Sequence, residues 1–153
     1  IQIGLLFACI FVSGAGFAPA QLVTVEPDNF SNATVLNQAF PQVSLVTAGD
    51  NNLPIPFNVT ASDDGFGYAS TGTRVFGHAG GIPFWNSFRR LRMDFAQPIN
   101  SLAIDFIGGW TFTNDIGRLD VFNSAGVLLD SYTTAPRPAV ASPPVSCRCP
   151  VCS

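Results

Sequence analysis

Two neighbouring stretches decide the fold: Arg90-Leu-Arg-Met-Asp-Phe95 and Ser101-Leu-Ala-Ile-Asp-Phe106. In each of them every second residue is a large apolar one, while charged, polar or small residues fill the places between. A strict period of two is typical of β-strands that bury one face and turn the other to water. The short connection over residues 96–100 predicts that the two strands form a hairpin.

The same alternation extends the β pattern in both directions. Residues 118–122 and 127–132 flank Asn123-Ser-Ala-Gly126, and this predicts a second hairpin in which Gly126 supplies a positive φ. Further strands are predicted over residues 22–26, 43–46 and 57–62. No stretch between residues 21 and 135 is long and periodic enough for a crossover helix. We therefore expect an all-β fold, an antiparallel β-sandwich.

The composition agrees with one small domain. The 153 residues suffice for a single domain. Charged residues make up 11% of the chain, less than half of the usual share of about 25%. All seven basic residues are arginine, and the net charge is −3. A weakly acidic chain without a basic stripe is not expected to bind nucleic acid or anionic membranes.

The first twenty residues are typical of a secretory signal helix. They carry no charge and are apolar through most of their length, and they end with Ala18 and Ala20 in an A-x-A pattern. This predicts cleavage before Gln21 and a secreted or cell-surface location. The basic start of a signal is missing, so we expect the sequence to begin inside the signal. The alternative is a membrane anchor, which needs about 20 apolar residues. The run here is shorter, and no stable membrane span is expected after cleavage.

Five segments along the chain resemble a jelly-roll domain of exported bacterial proteins that often carry a PEP-CTERM sorting tail. The segments are residues 25–30, 33–45, 70–77, 91–106 and 119–129. The resemblance covers roughly residues 22–134 and implies a jelly-roll sandwich similar in architecture to carbohydrate-binding and galactose-binding-like domains. No catalytic motif comes with it. The sorting tail is absent, and the family's last strands are not recognisable after Tyr132.

Catalytic residues are not grouped in this sequence. The single histidine, His78, lies in Phe76-Gly-His-Ala-Gly-Gly81, and no G-x-S-x-G motif or phosphate loop is present. We expect His78 to be a polar residue in a glycine loop. The sequence therefore predicts a protein that is not an enzyme and has no catalytic cofactor.

Two tryptophans are the candidate ligand-binding residues. Trp85 and Trp110 lie in loop-like surroundings, where an indole face can stack on a sugar ring. The alternative is packing in an aromatic core, which is the more frequent fate of tryptophan. The predicted function is an exported, non-catalytic module that binds polysaccharide. The alternative is a purely structural surface or matrix protein without a small ligand.

Acidic turns are the candidate metal site. Asp28, Asp63 and Asp64 carry the oxygens that Ca²⁺ prefers, and related sandwiches often hold a structural calcium. The alternative is that these residues form turns, which is the commoner role of Asp and Asn in loops.

The composition changes at residue 135. Residues 135–153 contain five prolines and three cysteines (Cys147, Cys149 and Cys152), but no aromatic residue and no glycine. Since proline removes a ladder donor, the segment predicts an extended, poorly ordered tail that arises from a frameshift or a truncation of the sequence. The expected organisation is a signal over 1–20, a sandwich over 21–134 and a tail over 135–153. A sandwich without its last strands has an open edge, which predicts pairing with another copy.

Overall fold

The computed structural model describes residues 23–65, 69, 71–79, 81–82, 85–86, 88–99, 101–106 and 116–135, and the backbone of residues 145–150. Apart from one 3-10 turn at Pro27–Asn29, the regular structure of these residues is β, so the all-β prediction is confirmed. The strands are β1 (Val43–Ala48), β2 (Val59–Asp63), β3 (Arg74–His78), β4 (Arg90–Phe95), β5 (Ser101–Phe106), β6 (Arg118–Phe122), β7 (Leu128–Thr133) and β8 (Val145–Pro150).

The strands pair in four antiparallel ladders. β1 pairs with β4, β2 with β3, β5 with β8 and β6 with β7. The β6–β7 hairpin is the one predicted from the sequence, and Gly126 has the expected positive φ of 77°.

The core lies where β1, β2 and β4 meet. Its fully buried members are Leu36, Val43, Leu45, Val59 and Ala61. The apolar residues of β4 pack against this cluster, which confirms that its period-two pattern marks a core-facing side. β5 also alternates between exposed and half-buried positions, as its pattern predicts.

The predicted hairpin between residues 90–95 and 101–106 is wrong. β4 takes β1 as its partner over six residues, from Val43 opposite Phe95 to Ala48 opposite Arg90, and β5 pairs with β8. The alternation identified both strands and their apolar faces correctly, but it carries no information about which strand lies alongside. The strand predicted over residues 22–26 is also absent from residues 23–26, which lead into the 3-10 turn that begins at Pro27.

β2 is buried on both of its faces. Val59 and Ala61 belong to the core, and Thr60 and Ser62 on the other face are buried as well. The two hydroxyl oxygens lie 3.1 Å apart and share a hydrogen bond. This mutual bond offsets the cost of removing two polar groups from water.

β8 corrects the prediction for the C-terminal segment. Val145–Pro150 pairs with β5 through all six residues, although no paired strand was expected after residue 136. Pro143 and Pro144 precede the strand, and Pro150 is its last residue. The prolines therefore bound the strand and leave its interior positions with ladder donors. Residues 136–144 and 151–153 lie outside the described residues, as do residues 1–22 with the predicted signal helix.

No helix among the residues that the structure describes is long and apolar enough to cross a membrane.

Candidate binding turn

A tight turn over residues 85–89, called here the 85–89 turn, lies between β3 and β4. Asn86 and Arg89 close it with two backbone bonds: Asn86 N donates to Arg89 O at 2.9 Å, and Arg89 N donates to Asn86 O at 3.1 Å. The Asn86 Oδ1 atom also accepts from Phe88 N at 2.9 Å and from Arg89 N at 3.0 Å. An Asn side chain that bonds to the backbone two residues on fixes the turn before any ligand arrives.

Trp85 fixes the first end of the 85–89 turn. Its Nε1 donates to Phe76 O at 2.7 Å, and its ring meets His78 edge-on with centroids 5.0 Å apart. The indole is half-buried and packs against the core. These contacts favour the packing alternative for most of the indole, so Trp85 anchors the turn.

Arg89 fixes the other end of the turn. Its guanidinium carbon lies 4.8 Å from the centroid of the Phe57 ring, which is cation–π geometry. Phe57 in turn lies beside His78, with ring centroids 6.4 Å apart. The turn thus stands on a continuous row of rings formed by Phe57, His78 and Trp85.

Phe88 is the residue that the turn presents to solvent. Its exposed fraction is 70%, the largest among the big apolar side chains in the described part of the chain. Sequence reasoning singled out tryptophan and missed this residue. The signal that could have found it is Asn86 placed two residues before Phe88, because such an Asn predicts a turn at this place, and a side chain at the tip of a turn is commonly exposed.

The expected position of His78 is wrong. His78 is the last residue of β3 and is 1% exposed, so it does not lie in a glycine loop. Its backbone closes a turn with Ile82 through two bonds of 2.9 Å, one in each direction. The imidazole lies between the Phe57 and Trp85 rings and forms the floor beneath the 85–89 turn.

Asp28 holds the segment that leads into β3. Its Oδ1 accepts from Thr73 N at 2.8 Å and from Arg74 N at 2.7 Å, and its Oδ2 accepts from the Thr71 hydroxyl at 3.0 Å. Burial raises the pKa of Asp28, but these hydrogen bonds outweigh it and hold the pKa below its ordinary value of 3.8. Gly72, with φ of +45°, lies against this carboxylate where a Cβ atom would overlap it.

The other two predicted calcium ligands border the same segment. Asp63 forms an ion pair with Arg74. Asp64 donates its N–H to Thr73 O at 3.3 Å, and its Oδ2 accepts from Ala69 N. Among the described residues no group of three or more His, Cys, Asp or Glu side chains is placed to hold a metal ion. These contacts favour the turn-forming alternative for Asp28, and calcium stays a prediction from the sequence.

The remaining predicted site residues are not placed. Trp110, Ala18, Ala20 and Gln21 lie outside the described residues. Of the three tail cysteines, Cys147 and Cys149 lie in β8 opposite Ile104 and Leu102, and Cys152 is outside the described part.

Comparison with known proteins gives no relative: no family model, curated protein or solved structure matches this chain. The jelly-roll resemblance therefore stays a prediction.

Proposed function

We propose that this protein is an exported, non-catalytic module of the cell surface or its surroundings that binds polysaccharide through the 85–89 turn. The observation that carries the proposal is the exposed Phe88 ring on a turn whose two ends are both fixed. A large aromatic ring that lies open to solvent offers a flat apolar face for contact with a ligand.

The chemistry of the turn suits a sugar. The apolar C–H face of a pyranose packs on a flat aromatic ring such as Phe88, and the Arg89 guanidinium beside it can donate to hydroxyl or carboxylate oxygens. Because Asn86 already holds the turn, binding costs little backbone entropy there. Neutral or acidic polysaccharides are the ligands that this combination favours.

A sandwich, jelly-roll-like architecture is part of the same proposal. The β1–β4 and β2–β3 ladders both contribute to one apolar core. Two antiparallel ladders that share a core are the elementary unit of a β-sandwich. In this arrangement the 85–89 turn joins one ladder to the other and lies at an end of the layers, where sandwiches commonly bind their ligands.

The test is a panel of neutral and acidic polysaccharides, with tryptophan fluorescence as the readout because Trp85 anchors the turn. Phe88→Ala should weaken binding about tenfold or more. Leu53→Ala is the matched control, since Leu53 is another loop residue with an exposed fraction of 60%. Both variants should keep the wild-type melting temperature. A ligand that binds Phe88→Ala as tightly as wild type would rule out this turn as the site.

The second candidate function is a structural surface or matrix protein with no small ligand. The exposed apolar hairpin β6–β7 favours it, because such a surface suits protein contacts. This alternative would be supported if the chain binds no glycan on a broad array and if no glycan changes its melting temperature.

A further inference from the structure

We propose that Arg89 makes the 85–89 turn selective for polysaccharides that carry carboxylate groups, such as polymers of uronic acids; the proposal rests on the function proposed above and specifies the class of sugar. The starting observation is the distribution of charge along the chain. Between Asp64 and Asp94 the sequence has four arginines and no acidic residue, although the whole chain has ten acids against seven arginines. Three of the four arginines, at positions 89, 90 and 92, lie at the end of the turn or in the first residues of β4.

Two of these three arginines bind groups of the protein itself. Arg92 Nε forms an ion pair with Asp94 Oδ1 at 2.7 Å, and Arg92 Nη1 donates to Asn52 O at 3.0 Å. Arg90 Nη1 donates to Asn52 Oδ1 at 3.1 Å. Burial raises the pKa of Asp120, but hydrogen bonds and the positive charge of nearby arginines, Arg90 among them, hold that pKa below its ordinary value. Both guanidinium groups therefore serve contacts within the chain.

Arg89 differs from these two arginines because an aromatic ring holds it. Its guanidinium carbon lies 4.8 Å from the centroid of the Phe57 ring. Among the residues that the structure describes, no carboxylate lies within ion-pair distance of Arg89. The face of a ring attracts a cation but, unlike a carboxylate, does not neutralise its charge. The positive charge of Arg89 therefore remains available at the turn, in a position that the Phe57 ring restricts.

Arg89 directly follows the exposed Phe88 in the chain. Asn86 Oδ1 fixes the backbone of both residues, because it accepts from Phe88 N at 2.9 Å and from Arg89 N at 3.0 Å. A guanidinium can bind a carboxylate through two parallel N–H···O bonds, and such charge-assisted bonds are about twice as strong as bonds to a neutral group. An apolar ring followed by this cation therefore suits a uronic acid better than a neutral hexose.

The charge of the whole chain narrows the class of acidic ligand. Its net charge is −3, so a densely charged polyanion is repelled by the protein as a whole. Binding to a nucleic acid or a heavily sulfated polymer draws on many cations at once. The cation at Arg89 instead matches a polymer that has one carboxylate on a sugar ring and an apolar C–H face beside it. Uronic-acid polysaccharides have both features.

The experiment compares each polymer in a charged and an uncharged form, so that only the carboxylate differs. Polygalacturonate, alginate and hyaluronate are each titrated into the full chain beside the same polymer after chemical reduction of its carboxyl groups to hydroxymethyl groups, with tryptophan fluorescence as the readout. Wild type should bind at least one acidic form about fivefold more tightly than its reduced form, which is the upper range for an exposed charge pair. This preference should shrink at high salt, because salt screens exposed charges.

Three variants assign the preference to Arg89. Arg89→Gln should bring the affinities of the two forms close together, because the charge is lost. Arg89→Lys should retain part of the preference, because it keeps the charge but loses the planar fork of donors. Arg74→Gln is the matched control: it removes the same charge at the far end of β3, where Arg74 is already paired with Asp63, and should leave the preference intact.

Each variant is checked for its β spectrum and melting temperature. If both forms of the polymers bind equally tightly and Phe88→Ala weakens both, selectivity for carboxylates is wrong and the proposed function of the turn stands. If no polymer binds, or if Phe88→Ala leaves binding unchanged, both proposals are wrong. Dextran sulfate that binds as tightly as the uronic-acid polymers would show a general attraction to polyanions and would overturn the selectivity. A preference for the acidic form that Arg89→Gln leaves intact would overturn it as well.

Discussion

Removing the Asp28 carboxylate should loosen the segment that enters β3. Asp28 accepts two backbone N–H groups and the Thr71 hydroxyl, and it reaches across more than forty residues of chain to do so. Hydrogen bonds to a charged acceptor are worth about 1.5–3 kcal/mol each when buried. This carboxylate is partly exposed, and its bonds are not additive. We expect Asp28→Ala to lower the free energy of unfolding by about 2 kcal/mol. That corresponds to a drop of about 6 °C in melting temperature.

Asp28→Asn separates the charge from the geometry. The Asn carbonyl can still accept from Thr73 N and Arg74 N, so the expected loss is about 1 kcal/mol. Because the folded pKa of Asp28 is held below 3.8, the wild-type carboxylate stabilises the protein at pH values above 3.8. That contribution is lost as the pH falls through the folded pKa. The difference between wild type and Asp28→Asn should therefore be full near neutral pH and should disappear in acid.

The assay is urea unfolding followed by tryptophan fluorescence at a series of pH values. Asp50→Asn is the matched control, because Asp50 is exposed in the turn after β1 and its substitution removes the same charge. It should change the free energy of unfolding little at any pH. The reasoning would be refuted if the difference in free energy of unfolding between wild type and Asp28→Asn stayed constant across the whole pH series. An equal effect of Asp50→Asn would also refute it.

Four further results are expected. Gly72→Ala should destabilise more than Gly65→Ala by about 1–2 kcal/mol in urea unfolding, since both have positive φ but only Gly72 abuts a carboxylate. Leu45→Ala should cost about 3 kcal/mol and Leu53→Ala almost nothing, because Leu45 is fully buried. Melting curves in chelator and in millimolar Ca²⁺ should coincide if these carboxylates bind only groups of the protein itself. A melting temperature that rises clearly with Ca²⁺ would support the predicted calcium site. With a complete signal restored, mass spectrometry should find a mature N-terminus at Gln21, whereas an uncleaved, membrane-retained product would favour the anchor.

The sequence predicts those parts of the fold that depend on residues close together in the chain, and it misses those that depend on residues far apart. Alternation within β4 and β5 is a local property, and it correctly located the strands and their apolar faces. The β6–β7 hairpin is also local, because Gly126 and the Asn123 side chain fix the turn within a few residues. The choice of β1 as the partner of β4 joins residues about fifty positions apart, and no period in the sequence encodes it.

The same distinction between local and long-range contacts applies to the candidate site. Aromatic residues around position 85 were recognisable as an unusual loop, but the sequence could not say which ring would be buried. Trp85 is held because Phe76 O lies within reach of its indole nitrogen, a contact set by the strand order. Phe88 is exposed because Asn86 closes the turn beneath it, and that bond is local enough to be predicted. The acidic residues were ambiguous for a different reason: the same carboxylate suits a metal ion and a backbone N–H.

β8 shows why proline content alone was a poor guide to the C-terminal segment. The argument against a strand treated the five prolines as spread through residues 135–153, yet two of them stand directly before β8 and one ends it. What a ladder requires is an N–H at particular places, and Ser146 to Cys149 keep all of theirs. β8 gives β5 a partner, as each strand of the four ladders has one, and the open edge expected from the sequence stays a prediction.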